Sequence, residues 1–201
     1  MAENRIALLR HGQTEWSASG RHTSVTDLDL TAEGERQAVV VPSVLAALGL
    51  SPATVLCSPR LRAQRTAALA GLPVTRILDD LAEWNYGGYE GSTSEDLRAE
   101  RPGWSVFTDG APGGESPGQV GARADRALSV ASQALSAGDV VLIGHGHFSR
   151  VLAARWVGLP VSAGALLEMD AAAVSVLGHY HTDRSIEHLN IPVAVGSAPP
   201  S

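Results

Sequence analysis

Short apolar runs, each closed by turn-forming residues, set the pattern of the chain. RIALL at residues 5 to 9 stops at Arg10-His11-Gly12 and predicts a buried strand feeding a tight turn. Residues 13 to 30 are polar and irregular. Thr31 caps a helix predicted to reach about Leu48, with Gly34 where a capping box would place Glu or Gln, so the cap is partial. Pro42 predicts a kink or a split within it. After Gly49 and Pro52, TVLCS (54 to 58) is the second strand, Pro59 opens a helix through Ala70, and Pro73 to Leu78 gives a third strand.

Residues 79 to 115 are the least periodic stretch, with aromatic and glycine-rich segments around one short helix near 92 to 100. A long insertion of this kind over a compact scaffold more often carries a site than a core. Beyond it come an alanine-rich helix over 116 to 137, a buried strand DVVLIG ending at Gly144-His145, and a helix from His147 to Val157. LLEM (166 to 169), AVSVLGHY (173 to 180) and EHLNIPV (187 to 193) read as later strands joined as hairpins, and GSAPPS at 196 to 201 as a frayed end. Nearly continuous apolar strands alternating with helices indicate an α/β sheet covered by helices on both faces. No internal repeat is evident, and the insertion is too small to fold alone, so residues 1 to 201 are expected to form a single domain.

A chain of 201 residues buries roughly 70% of the surface its unfolded form exposes, so it needs neither disulfides nor a structural metal to stay folded. Hydrophobic residues at 44% and charged residues at 18% mark a globular chain, not a disordered or fibrous one. The net charge is −6 and every basic residue is Arg. With no basic tail or Arg run to track its backbone, nucleic acid is not expected as a partner, and an anion binds only where local geometry overrides the global field. Cys57 is alone, so no internal disulfide or cysteine-based zinc cage forms. The opening MAENRIALLRHG lacks the basic end and long apolar run of a signal peptide, and no apolar stretch reaches about 18 residues. A cytoplasmic protein with no membrane partner is expected.

ALLRHG (7 to 12) and VLIGHG (141 to 146) end alike. In an open α/β sheet, functional groups gather beyond the carboxyl ends of the strands. If these two strands are neighbours, His11 and His145 face each other across a shallow cleft. Arg10 adjoins the first, and Arg60, at a predicted helix start just past the second strand, can project into the same cleft. A planar guanidinium grips two oxygens of a phosphate at once, and the helix start adds free backbone N–H groups. Arg62 and Arg65, further along that helix, read as exposed surface cations.

In LAEWNYGGYEG (81 to 91), glycines allow close approach while the aromatics can shield Glu83 from water, raising its pKa so that it donates a proton. Read alone, the same segment is an exposed acid in an aromatic-packed loop. Together the pieces suit phosphoryl transfer. Arg10 and Arg60 clamp the anion, a neutral imidazole attacks phosphorus, Glu83 protonates the leaving oxygen, and His145 with the arginines stabilises the transferring charge. Paired carboxylates for a two-metal site are missing at the predicted strand ends. Gly144-His145-Gly146-His147 reads as a strand-to-helix turn, and without any Lys no Walker-type nucleotide loop exists. No metal and no cofactor are expected.

Leu9-Arg10-His11-Gly12-Gln13-Thr14-Glu15-Trp16 resembles the signature of the histidine phosphatase superfamily, in its phosphoglycerate-mutase-like branch. Ser58-Pro59-Arg60-Leu61-Arg62-Ala63, the 81 to 91 segment and Gly144-His145-Gly146 extend the likeness in the same order. The resemblance implies a three-layer α/β/α sandwich whose mostly parallel sheet carries one antiparallel edge strand. It implies His11 as a nucleophile that becomes a phosphohistidine, Arg10, Arg60 and His145 on the phosphoryl group, and Glu83 as proton donor and later the base that activates water. It implies no metal or organic cofactor.

Ser17 stands where members often carry a phosphate-holding Asn, with fewer hydrogen-bonding groups to offer. Gly20-Arg21-His22-Thr23 resembles a substrate-contacting region, which puts His22 or Thr23 at the pocket border; Trp84, Tyr86 and His147 join them, and Arg150 sits near the mouth. Glu115, in Gly113-Gly114-Glu115-Ser116, either shapes the site or is a solvent-facing helix-start acid. Trp84 follows Glu83 where the mutases carry Arg, and Arg98 and Arg101 lie in a different context from the basic residues that grip a mutase substrate. That favours hydrolysis. The segments look most like those of small actinobacterial acid phosphatases, with a relation to the sedoheptulose-bisphosphatase-like group. The expected activity is hydrolysis of a small-molecule phosphomonoester. Phosphoglycerate mutase or sugar bisphosphatase activity, and a non-catalytic phosphate- or protein-binding module, stay open as alternatives, as does the pairing of two copies into a homodimer.

Overall fold

The computed structural model describes residues 4–194; the frayed end expected at 196 to 201 lies outside them. Its strands are β1 (Ile6–Arg10), β2 (Pro52–Cys57), β3 (Arg76–Ile77), β4 (Asp139–Gly144), β5 (Val174–Tyr180) and β6 (Asp183–Ile191), in the sheet order β3-β2-β4-β1-β5-β6. The first four run parallel, β5 is antiparallel to β1, and β6 turns back along β5. The antiparallel edge is thus a hairpin. Around the sheet lie α1 (Glu15–Ala18), α2 (Ala32–Ala47), α3 (Leu61–Leu69), α4 (Ser94–Glu100), α5 (Val106–Asp109), α6 (Pro117–Ala134) and α7 (Gly146–Trp156).

Alternation along the central strands builds two cores from one sheet. Ala7, Leu9, Val141 and Ile143 pack with Val41 and Leu45 of α2 and Ala63 and Ala67 of α3. Ile6, Leu8, Val140 and Leu142 pack on the other face with Val120 and Ala127 of α6 and Phe148 and Leu152 of α7. Strands covered on both faces need apolar residues at every position, and that is why RIALL and DVVLIG read as unbroken runs. The result is a three-layer α/β/α sandwich.

The partial cap at Thr31 has a packing cause. Thr31 Oγ1 accepts from the Gly34 N–H at 3.1 Å, and the Thr31 N–H donates to the Gln13 carbonyl at 2.9 Å. A Cβ on Gly34 would stand 2.1 Å from that same Gln13 carbonyl oxygen, and one on Gly12 would stand 2.4 Å from the Gly34 oxygen. The glycine occupies the place of the capping-box acid because the turn after β1 passes directly over the first turn of α2. Helix α2 runs through Pro42 without a split, with the ring on its exposed face.

Three boundary expectations are corrected. Pro59 lies ahead of the helix, whose cap is Arg60. The third strand contracts from six residues to Arg76–Ile77, an edge flanked by the Thr75 N–H donating to the Val55 carbonyl at 2.8 Å and the Leu78 N–H donating to the Cys57 carbonyl at 2.9 Å. LLEM is not a strand: Val161–Leu166 forms a 3-10 turn and Leu166 is 85% exposed. Both sides of β5 are already taken by β1 and β6, and the Met169 carbonyl instead accepts from Arg10 Nη1 at 2.7 Å. Among the described residues no helix is long and apolar enough to cross a membrane.

Gly34→Ala is expected to lower stability by about 1–3 kcal/mol through overpacking, read as a shift in urea midpoint at constant slope. Gly118→Ala, where a Cβ meets nothing within 4 Å, should be neutral or slightly stabilising.

Candidate active site

β1 and β4 pair with Arg10 opposite Gly144, and the His11 N–H donates to the Gly144 carbonyl at 3.0 Å. The next residue on each strand is a histidine at the same level, and the His11 and His145 rings meet edge to face with centroids 5.2 Å apart. On the far side of β4, the Ser58 N–H closes β2 onto the Ile143 carbonyl at 2.9 Å, which brings Ser58 Oγ to 2.7 Å from His145 Nε2. Three neighbouring strand ends thus deliver three side chains to one spot.

Hydrogen bonds define the state of both imidazoles. His11 Nδ1 lies 2.7 Å from the Gly12 carbonyl oxygen, which only accepts, so Nδ1 carries the proton and Nε2 the free lone pair. Ser58 Oγ accepts from the Arg60 N–H at 3.3 Å and lies within hydrogen-bond distance of His145 Nε2. Among the described residues His145 Nδ1 is buried without a hydrogen-bond partner, as are Arg10 Nε, Arg60 Nε and Arg62 Nε. Burial, reinforced by the Arg10 and Arg62 cations, holds the His11 pKa well below 6.5. Burial and then Arg62, His11, Arg10 and Arg60 do the same for His145. Both rings are neutral at ordinary pH because a second proton would sit in a buried, cationic neighbourhood.

Glu83 follows the 3-10 turn Asp79–Leu81 and is 7% exposed. Its Oε1 accepts from the N–H groups of Trp84 and Phe148, each at 2.8 Å, and Oε2 accepts from the His147 N–H at 3.1 Å. His147 and Phe148 belong to the first turn of α7, whose cap residue His145 makes no side-chain cap of its own. A carboxylate from a distant loop therefore caps this helix. Gly146 completes the junction, since a Cβ there would lie 3.2 Å from Arg10 Cζ.

Arg10, His11, Ser17, His22, Thr23, Glu83, Tyr86, His147 and Arg150 line a cavity of about 250 Å³. His22 stacks on Tyr86 at 4.6 Å between ring centroids, and the Tyr86 hydroxyl lies 2.6 Å from His147 Nδ1. Burial lowers the His22 pKa to about 4 and the His147 pKa well below 6.5, and it raises that of Tyr86 well above 10. A smaller hollow of about 110 Å³ continues past Ser94, His147 and Arg150 toward Arg98, Trp104 and Phe107. Among the described residues no group of three or more His, Cys, Asp or Glu side chains is arranged to hold a metal ion.

A family model for the histidine phosphatase superfamily (branch 1) matches residues 6–192. The chain belongs to that superfamily. An acid phosphatase of Mycobacterium tuberculosis is 43% identical over 198 residues, 96% of this chain and 98% of the relative. Sedoheptulose 1,7-bisphosphatase of Saccharomyces cerevisiae is 36% identical over 187 residues, 78% of this chain and 69% of the relative. The solved structure of an open reading frame product from Mycobacterium tuberculosis superposes with a TM-score of 0.92 at 44% identity, over 95% of this chain and 99% of that one. The protein is a phosphatase-like enzyme with His11 and His145 as candidate catalytic histidines.

In this histidine phosphatase the cavity wall gathers Arg10, His11, Glu83, Ser17, His22, Thr23, Tyr86 and His147, all expected from the sequence. The Ser17 hydroxyl is occupied: it donates to the Thr14 carbonyl at 3.0 Å and accepts from the Thr14 N–H at 2.8 Å. Trp84 stands apart. It is wholly buried, packs edge-on against Phe107 and donates through Nε1 to the Glu115 carbonyl at 2.9 Å, outside the wall. Arg60 caps α3 beside His145 without lining the cavity, and the helix-start N–H of Leu61 is taken by Asp27 Oδ1 at 2.9 Å.

Arg62 was expected at the surface and is 0% exposed. It donates to the carbonyls of Thr26, Thr23 and Ser24 at 3.1, 3.0 and 3.3 Å, pinning the loop that forms one cavity border, and its charge acts on both histidines. The signal was available in the helix itself. Ala63, Thr66 and Ala67 form the buried face of α3, and Arg62 falls one turn ahead of Thr66 on that face. Arg65 is a surface cation as expected, paired with Glu35 at 2.9 Å.

Histidines whose folded-state pKa lies below the unfolded value resist protonation only in the fold, so acid favours unfolding. Their contribution is fully present above about pH 6.5 and is lost as pH falls below it, through about 4 for His22. Thermal denaturation should show Tm falling steadily below about pH 6.5. His22→Gln should reduce proton uptake on unfolding by about one between pH 6 and 4, flattening that slope by about 1.4 kcal/mol per pH unit.

Proposed function

We propose that this enzyme hydrolyses compact phosphomonoesters through a phosphohistidine, without a metal. His11 Nε2 attacks phosphorus, the bond from phosphorus to the leaving oxygen breaks, and Glu83 passes a proton to that oxygen to release the alcohol. A water then attacks the phosphoimidazole, Glu83 takes its proton, and inorganic phosphate leaves with the Nε2 lone pair restored. Arg10, Arg60 and the buried Arg62 supply positive charge to the phosphoryl oxygens, and His145 Nδ1–H donates one further hydrogen bond. Ser17 contributes only after exchanging its bond to Thr14.

One observation carries the reading. A neutral imidazole with a free Nε2 lines the cavity beside Arg10, whose Nε is buried without a hydrogen-bond partner among the described residues, and the charges of Arg10 and Arg62 act on it. Buried donors are normally satisfied, and a phosphoryl dianion in the cavity would supply a partner for this one. The modest cavity, with its aromatic wall and hollow beyond Arg150, supports a small metabolite as substrate. The acid phosphatase and sedoheptulose 1,7-bisphosphatase relatives support hydrolysis of a phosphomonoester, including a sugar phosphate, over mutase chemistry.

His11→Ala should keep the circular dichroism and melting behaviour of the parent while turnover of p-nitrophenyl phosphate drops by at least about 10³-fold. Wild-type activity should persist in EDTA, and brief incubation with a ³²P-labelled phosphomonoester should leave acid-labile, alkali-stable label on the protein. Turnover by the alanine variant close to wild type would reject the nucleophile.

A further inference from the structure

We infer that Arg123 is a positioning residue for the acid, acting through Glu83 from a place outside the cavity wall. The inference rests on the reading of Glu83 as proton donor. Arg123 comes from the middle of α6 and is 8% exposed. A guanidinium has five N–H donors in one plane, and here each meets an acceptor. Nε donates to Glu115 Oε1 at 2.9 Å, Nη1 to the carbonyls of Asp80 and Ala82 at 2.9 and 2.5 Å, and Nη2 to the Glu83 carbonyl at 3.3 Å and to Glu115 Oε2 at 2.7 Å.

Three of those acceptors are backbone of the acid-bearing segment, including the carbonyl of Glu83 itself. The other two belong to Glu115, which grips the same segment from its far end: Oε2 also accepts from the Asn85 N–H at 2.8 Å, and the Glu115 carbonyl accepts from Trp84 Nε1 at 2.9 Å. The guanidinium also lies 4.1 Å from the centroid of the Phe148 ring, and the Phe148 N–H holds Glu83 Oε1. Residues 82 to 85 form no helix or strand, so no backbone ladder fixes them. Single backbone bonds hold the two ends, from the Ala82 N–H to the Asp79 carbonyl at 3.0 Å and from the Glu115 N–H to the Asn85 carbonyl at 2.9 Å. Between them the position of Glu83 is set by the cation behind and by the α7 N-terminus in front. Glu115, which the sequence left between shaping the site and facing solvent, is the counter-charge that lets Arg123 be buried. A general acid works only within hydrogen-bond reach of the leaving oxygen, and a shift of about 1 Å costs on the order of 10²-fold. Lys, with three donors on a flexible stem, replaces five coplanar ones only in part.

The test compares kcat/KM on p-nitrophenyl phosphate, whose leaving group needs little protonation, and on glycerol 2-phosphate, whose alkoxide needs it. Glu83→Gln should lose on the order of 10²-fold on glycerol 2-phosphate and only a few-fold on the aryl ester. Arg123→Met, which keeps an unbranched apolar stem against Phe148, should show the same selectivity, with a loss on the order of 10-fold on the alkyl ester. Arg123→Lys should recover part of it. In the Glu83→Gln background, Arg123→Met should add no further selective loss.

Equal losses on both esters, or additive losses in the double variant, would overturn the inference while Glu83→Gln alone still reports on the acid. Equal losses in Glu83→Gln would instead reject the acid assignment, and the inference with it. If Arg123→Met fails to fold by circular dichroism, Glu115→Gln carries the same comparison: alkyl-selective loss supports the inference and non-selective loss overturns it.

Discussion

The in-register parallel ladder between β1 and β4 is the constraint on which the rest of the molecule depends. Because Arg10 lies opposite Gly144 and Cys57 opposite Ile143, the three strands end at the same edge of the sheet: His11 and His145 leave it level with one another, and Ser58 leaves it one residue earlier. Parallel pairing is what makes this possible. Strands pointing the same way end on the same side, whereas an antiparallel neighbour would carry its last residue to the opposite edge. The ladder also sets the alternation that builds the two cores, so the geometry that buries Ile6 and Leu8 against α6 and α7 is the geometry that aligns the histidines.

Around that point the structure concentrates positive charge in a protein that is acidic overall. Arg62 is tolerated because loop carbonyls take two of its nitrogens and Asp27 Oδ1 lies 3.9 Å from Nη1, and Arg10 is anchored by the Met169 carbonyl. In both cases Nε is left without an acceptor among the described residues, a condition that costs about 1–3 kcal/mol for each buried donor. Such a cost is expected where donors are held ready for an anion instead of being relaxed onto one another. Burial and the same cations keep both imidazoles neutral, so the proposed anion clamp and the proposed nucleophile share one electrostatic arrangement.

The sheet and the facing pair His11 and His145 were legible because they depend on local patterns: apolar runs covered on both faces, each closed by His-Gly. Arg62 was not, because its charge suggested solvent and only its place on the Ala63-Thr66-Ala67 face argued otherwise. Trp84 looked like a wall residue from its position next to Glu83, but adjacent side chains in an extended segment point to opposite sides, and Trp84 turns to the core. LLEM has strand-like composition, yet both sides of β5, the strand that follows it, are taken by β1 and β6, a matter of topology that composition does not carry. The partnership of Glu115 with Arg123 was hidden for a further reason: its targets are main-chain carbonyls, which have no sequence signature at all.

The neutral rings have a consequence for how the enzyme meets its substrate. Across mildly acidic to neutral conditions the three imidazoles that line the cavity, and His145 beside His11, stay uncharged, with His22 gaining a proton only near 4. A phosphomonoester, by contrast, passes from monoanion to dianion with a second ionisation near about 6. Over that interval the imidazoles present a constant face, and the change of charge between ligand and histidines is the ligand's own. The protein meets two ionic forms of one molecule with an unvarying set of rings, and the ester's acidity sorts between them.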